Sequence, residues 1–341
     1  MATDYSGRYS KPLGCSRHAM GGAAEGLGIE ALAGDTEMVT VFDDFNGVVK
    51  GTDTFGGAAI FEDSGWVLTD IGAPTNDAIS MNDVSDVAAL YNSCLTVYGG
   101  DADDAGGSMA LDLLNGAIGT EVGTQVFPHM WIPETAAGAG VNDNSTWVFA
   151  TRVGIRADLT TTGNGDWDSK FFIGFQVAGE TNIMTAATGA LIVAGADDIL
   201  YGFHCGEDGS VDGIAQRLGT TAYAAGTNFT ELIAAGGVDG TVANGAVTAG
   251  DTMWFDLAFR MDIVDQSDAA NNGRVRFFHR KVLPGRPLGD WNPHPAVLTN
   301  QCPNHTVALV PVIEMINGPT ATVDGIIFLD WWAFGRNRVN R

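Results

Sequence analysis

The segment TMWFDLAFRMDIVD, residues 252–265, constrains the fold more than any other part of this chain. Phe255, Leu257, Phe259, Met261 and Ile263 fall on one side of a pleated ribbon. Trp254, Asp256, Ala258, Arg260 and Asp262 fall on the other. That two-residue period predicts a half-buried β-strand, with the Phe255–Ile263 set in a core and Arg260 and Asp262 facing outward.

The same texture recurs. TWVFATRVGIRAD sets Trp147, Phe149, Val153 and Ile155 opposite Arg152 and Arg156. SKFFIGFQVAG, ILYGFHCG, GRVRFFHRKVLP, VALVPVIEMIN and TVDGIIFLDWWAFGR are further strand candidates, rich in the β-branched and aromatic residues that pleated surfaces favour. GWVLTDI, SCLTVYGG, GSMALDLL and TQVFPHMWIP are weaker ones. Helical patterning is scarce. DVSDVAALYN and NFTELIAAGG each predict a short helix, the second capped by Asn228 and packed through Phe229, Leu232 and Ile233. Neither supplies the rhythm of a parallel α/β fold. Short strands separated by Gly-, Asp- and Asn-rich turns predict an all-β fold: a two-sheet antiparallel β-sandwich of the jelly-roll type.

The chain holds 341 residues, 45% of them hydrophobic, which is ample for a large core. Residues 1–38 show no sustained apolar period and are read as an extended N-terminal arm. Residues 39–341 are read as the sandwich domain, with an acidic, loop-rich insertion around 70–145. No apolar run approaches the ~20 residues that span a bilayer, and the first residues lack the apolar stretch of a signal peptide. Cys15, Cys94, Cys205 and Cys302 are far apart and are expected to be free thiols.

Charge narrows the partners. Seventeen Lys and Arg stand against 41 Asp and Glu, a formal net charge of −24. This disfavours nucleic acid, whose phosphates need clustered cations, and an anionic membrane surface. The basic residues collect in three places: Arg8, Lys11 and Arg17 in the arm, Arg274 to Arg286 late in the chain, and Arg336, Arg338 and Arg341 at its end. They read either as solvated surface or as contacts to an acidic partner. Tyr5, Arg8, Tyr9, Lys11, Arg17, Arg274, Arg276, Arg336 and Arg338 are accordingly the candidate partner-binding residues, with Tyr5 and Tyr9 as aromatic anchors.

No catalytic residue is expected. GLGIEA follows no strand, so it is not a dinucleotide fingerprint. GGSMA lacks the last glycine of a nucleophile elbow and reads as a strand start. The six histidines form no HxH or HExxH pair, and CPNH at Cys302–His305 stands alone, short of a zinc site. No strand carries alternating carboxylates for glycoside hydrolysis. The oxygen-rich loops GGDADDAGG, GEDGSVDG and VNDNS suit calcium or plain solvated turns, and no spacing singles out ligands. Trp131, Trp167 and Trp291 are candidates for stacking on sugars, if they are not core residues.

The layout of residues 40–341 resembles that of tailed-phage virion structural proteins built on a concanavalin-A-like jelly roll, some of which are capsid decoration (cement) proteins. Three features carry the resemblance: the start Phe42-Asp43-Asp44-Phe45, the strand ending in Asn317-Gly318, and Val323-Asp324 followed by an aromatic strand and Arg336. The resemblance implies a non-enzymatic protein without cofactor, on the outer capsid surface of a bacteriophage virion after assembly in the host cytoplasm. Its partner would be the major capsid protein, gripped by a homo-oligomer, dimer or trimer, that reinforces capsomer contacts through multivalency. Two alternatives share the fold: a glycan- or receptor-binding virion protein of lectin-like type, and a glucanase-like enzyme.

Overall fold

The computed structural model describes residues 38–43, 59–60, 66–71, 79–82, 94–98, 106–111, 145–156, 170–177, 183–185, 190–191, 200–206, 209–217, 229–234, 252–265, 268–282, 288–303, 309–316 and 326–337. They form two eight-stranded sheets. Sheet A runs β14 (Asn292–Thr299), β13 (Gly273–Val282), β12 (Thr252–Ile263), β7 (Thr146–Arg156), β16 (Ile326–Asn337), β5 (Cys94–Tyr98), β4 (Ile79–Asn82). β1 (Met38–Asp43) pairs with the far half of β16, beyond the part that pairs with β5. Sheet B runs β11 (Phe229–Ile233), β10 (Val211–Gln216), β9 (Leu200–Cys205), β8 (Lys170–Val177), β15 (Leu309–Ile316), β6 (Gly106–Leu111), β3 (Trp66–Ile71), β2 (Ala59–Ile60). Neighbouring strands in both sheets are antiparallel, and many are distant in sequence: β7 lies between β12 and β16, and β15 between β8 and β6. This is the all-β, two-sheet antiparallel sandwich that the alternating segments predict.

The inner faces meet through aromatic rings. Phe149, Phe259, Phe277 and Phe334 of sheet A interlock with Phe175 and Phe203 of sheet B, with centroids 5.2–6.2 Å apart. Phe255, Leu257, Phe259, Met261 and Ile263 all lie in this core, as the alternation of β12 requires. Trp147, Phe149, Val153 and Ile155 of β7 do too. A Cβ at Gly213 of β10 would stand 2.5 Å from the Phe277 ring, so only glycine lets that ring lie against the opposite sheet.

Three expectations need correction. NFTELIAAGG does not form a helix. Phe229–Ile233 is strand β11, paired with β10 along the edge of sheet B. Leu232 joins the inter-sheet core, while Phe229 packs against the apolar cluster on the other side of the sheet. An edge strand that finds a ladder partner and two apolar surfaces outweighs the weak local preference for one helical turn. Second, β12 is not half-buried: Trp254, Asp256 and Ala258, on its outward side, are as buried as the core set. Third, Asp262 faces outward but is not simply solvated: it is the hub of an ion-pair group.

Between β9 and β10, Gly209 N donates to the Gly206 carbonyl with Gly209 at φ 68°, and Asp212 stands in β10 opposite His204. Cys205 and Cys302 are buried free thiols. The edge strand β14 carries Pro293 and Pro295, which remove two N–H donors from the rim and discourage edge-to-edge pairing. Residues 1–37, the predicted helix in DVSDVAALYN, the strand candidate TQVFPHMWIP, Trp131 and Trp167 lie outside the described residues.

Candidate functional site

Sheet A carries two rows of charge on its outer face. Each row is assembled by strand register. In the first, Asp256 of β12 stands between Arg280 of β13 and Arg152 of β7. Arg152 donates Nε to Asp256 Oδ1 at 2.6 Å and Nη2 to Oδ2 at 3.2 Å. Arg280 donates Nε to Asp256 Oδ2 at 2.7 Å and Nη1 to the Gly289 carbonyl at 3.0 Å. Arg152 Nη1 reaches on to Asp330 Oδ2 at 3.2 Å on β16. A register shift between Leu329 and Trp331 makes room for that contact: Leu329 pairs with Val153 and Trp331 with Arg152, leaving Asp330 as the extra residue. A β-bulge re-aims side chains in this way, so Asp330 and Trp331 both serve the Arg152 level. The Arg152 guanidinium lies 5.7 Å from the Trp331 ring centroid and that of Arg280 4.5 Å from Trp291. Asp256 is fully buried, and the two arginines are nearly so. Trp291 is therefore a buried stacking partner of Arg280 and not the exposed sugar platform that its sequence neighbourhood suggests.

The second row is open to solvent. Asp262 Oδ1 accepts from Arg260 Nε at 2.7 Å and from Thr146 Oγ1 at 3.2 Å, while Oδ2 accepts from Arg274 Nε at 3.2 Å. Arg260 sits directly opposite Arg276 across the β12–β13 ladder. Arg276 is exposed and has no ion-pair partner among the described residues. Like charges directly opposite on adjacent strands destabilise a sheet. Among the described residues, this corner sets three guanidiniums around one carboxylate, on a chain of net charge −24.

Of the candidate partner-binding residues, Arg274 and Arg276 are brought together here. Arg336 sits in β16 opposite Val39 and Trp147, at the strand level of Met261, so its backbone is two strands from β12. Tyr5, Arg8, Tyr9, Lys11, Arg17 and Arg338 lie outside the described residues. The sequence reading did not single out Arg152, Asp256, Arg260, Arg280 or Asp330 as a group. The available signal was the alternation of β12 itself, which sets Asp256, Arg260 and Asp262 on one side of a strand otherwise full of apolar residues. Among the described residues, no three His, Cys, Asp or Glu come together as a metal site.

The outer face of sheet B holds one more buried acid. Glu314 of β15 is fully buried, and its carboxylate accepts from Met184 N at 2.8 Å and from Ile183 N at 3.0 and 3.1 Å. These bonds fasten the 183–184 segment over Phe172, Leu200, Ile214, Val312 and Ile316. Burial pushes the Glu314 carboxyl up to about 7, against a smaller opposing pull from the two backbone donors. Between the ordinary carboxyl value of 4.5 and about 7, the unfolded chain has released the proton while the folded chain still holds it. Stability therefore falls as pH rises through that window, by on the order of 3 kcal/mol for this group. Glu314→Gln keeps an acceptor oxygen for the two N–H groups and removes the charge. Melting curves from pH 5 to 8 are expected to slope less steeply in this variant, with a higher Tm than wild type at pH 8; parallel profiles would refute the assignment.

No family model and no curated protein matches the sequence. Several solved structures are similar in architecture. Peanut lectin with a bound 9mer peptide aligns over 89% of this chain and 100% of its own, at 10% identity and a TM-score of 0.38. Arcelin-5, a lectin-like defence protein from Phaseolus vulgaris, covers 88% and 98%, at 10% identity and a TM-score of 0.44. Winged bean acidic lectin with methyl-α-D-galactose covers 88% and 99%, at 8% identity and a TM-score of 0.43. What they have in common with this chain is the two-sheet sandwich that the strand pairing already establishes.

Proposed function

We propose that this protein is a non-catalytic, lectin-like binding module that holds an acidic polysaccharide on the outer face of sheet A. The observation that carries this reading is the cross-strand pair Arg260–Arg276 with Arg274 beside it. A sheet that only had to fold would gain by placing an acid at position 276, yet a free guanidinium stands there, exposed. Guanidiniums present planar forks that match carboxylate and sulfate groups, and such a patch on an anionic body selects ligands by charge as well as contact. The proposed action is binding without turnover. In the first row, the carboxylate of Asp256 is consumed by three guanidinium N–H donors, which leaves it unsuited to act as a nucleophile or base.

The test is a binding panel of uronate-bearing, sulfated and neutral polysaccharides against wild type and the Arg274→Ala/Arg276→Ala double variant. Acidic chains should bind in a salt-sensitive manner and lose about tenfold in affinity in the double variant, as two exposed ionic contacts would predict. Equal binding of neutral chains, or an unaffected double variant, would sink the proposal.

A second reading is supported by the layout of residues 40–341: attachment to the outside of an assembled phage capsid, in many copies, to reinforce capsomer contacts. Here whatever binds only the assembled shell stabilises it. Its measurement is the copy number of the chain per purified particle, with hundreds supporting decoration and a handful or none opposing it.

A further inference from the structure

One end of the sandwich interior contains hydrogen-bond donors that find no acceptor among the described residues. Tyr201 of β9 points into the core opposite Ala215 of β10. Arg217 follows the last residue of β10, Gln216, at the bend where the strand ends, two residues after Ala215. Its backbone N–H donates to Gln301 Oε1 at 3.2 Å, which ties it to the segment leaving β14. Its side chain is another matter. Arg217 is 8% exposed, its Nε is fully buried, and the guanidinium makes no hydrogen bond or ion pair with the described residues. The Tyr201 hydroxyl is buried and also lacks a partner there. Burial raises the Tyr201 pKa, the neighbouring Cys302 thiol raises it further, and Arg217 pulls it down, so the three groups share one electrostatic neighbourhood. Cys302 Sγ is occupied by the carbonyls of Asp262 and Arg274, both at 3.7 Å, and offers the arginine no counter-charge.

A buried arginine ordinarily brings its own carboxylate, because an uncompensated cation in a low dielectric is costly. This chain has 41 acidic residues, yet none of those described pairs with Arg217. The other orphan in the neighbourhood, the Tyr201 hydroxyl, can also donate. A guanidinium and a phenol with no acceptor between them are complementary to an anion.

We propose that Arg217 and Tyr201 form the donor set of a small-anion site at this end of the sandwich, taking a carboxylate or a tetrahedral oxyanion. The anion's oxygens accept from the Arg217 guanidinium and from the Tyr201 hydroxyl. The site lies on the core side of the arginine corner, whose Asp262 and Arg274 carbonyls accept from Cys302 Sγ, and does not depend on the polysaccharide reading.

The test measures the Tm of the full chain at constant ionic strength while chloride is replaced by phosphate, sulfate or acetate. Wild type should show a saturable rise with at least one of them, since a ligand that binds only the folded state stabilises it. A response to acetate alone assigns the carboxylate class; a response to phosphate or sulfate alone assigns the oxyanion class. Arg217→Met should abolish the rise, and Tyr201→Phe should weaken the apparent affinity about tenfold, as the loss of one hydrogen bond to a charged group predicts. No saturable rise in wild type would overturn the proposal. So would an Arg217→Met protein that responds like wild type. Should Arg217→Met fail to fold, Tyr201→Phe decides: unchanged anion affinity in that variant overturns the site.

Discussion

Replacing Phe259 by alanine is expected to lower the free energy of unfolding by about 3–5 kcal/mol, the range for truncating a large core aromatic. Phe259 is fully buried at the centre of β12, itself between β7 and β13. Its ring lies 5.3 Å from Phe149 and 6.2 Å from Phe277 within its own sheet. Across the interface it meets Phe203 at 6.1 Å and Phe175 at 6.2 Å. It thus bridges both layers. The lost apolar contact accounts for part of the cost and the residual cavity for the rest. Collapse into that cavity is hindered because ladder hydrogen bonds hold β12 on both sides. Urea titration should move the midpoint to lower denaturant at an unchanged slope. A loss below about 1.5 kcal/mol would mean that the two sheets repack freely around the site.

The second large effect belongs to Asp256. Asp256→Ala removes the acceptor of three N–H groups and strands two buried guanidiniums, Arg152 and Arg280, side by side. Breaking a buried ion pair by deleting one partner costs about 3–5 kcal/mol, because the remaining charge stays desolvated. Here Asp330 at 3.2 Å compensates Arg152 in part, whereas Arg280 keeps, among the described residues, the Gly289 carbonyl and the face of Trp291. The triple change Arg152→Met/Asp256→Leu/Arg280→Met should be far milder than the single one. It removes the whole desolvation burden and fills the space with apolar atoms. The decisive measurement is the difference between these two variants in chemical denaturation. If the triple variant were as unstable as Asp256→Ala, the row would stabilise the sheet in its own right. The buried row bears no ligand in the proposed function, so Asp256→Ala protein that still folds should retain polysaccharide binding through Arg274 and Arg276.

Much of this was legible in the residues. The two-residue period of 252–265 and of 146–156 identified the inner faces of β12 and β7 residue by residue, because a pleat leaves no freedom in which side each residue takes. Local pattern failed where tertiary partners outvoted it. Phe229–Ile233 reads equally well as a turn of helix and as a strand, and the neighbouring edge of β10 decided the matter. β14 was missed because Pro293 and Pro295 argue against an interior strand, and only its place at the rim makes them acceptable.

The sequence by itself determined the fold class, the inward sets of β12 and β7 and the concentration of arginines between 274 and 286. Those properties depend on alternation and composition, which are local. Tertiary structure alone decided which charges meet. Arg152, Asp256, Arg280 and Asp330 are up to 178 positions apart, and their convergence requires the order β13-β12-β7-β16 together with one bulge after Leu329. It also decided that Arg260 faces Arg276, that the outward side of Trp254 and Asp256 is closed to water, and that Arg217 is buried without a counter-ion among the described residues. The physical reason is that register between strands distant in the chain is set by the packing of whole sheets, and a shift of one residue would turn every one of these side chains to the other face.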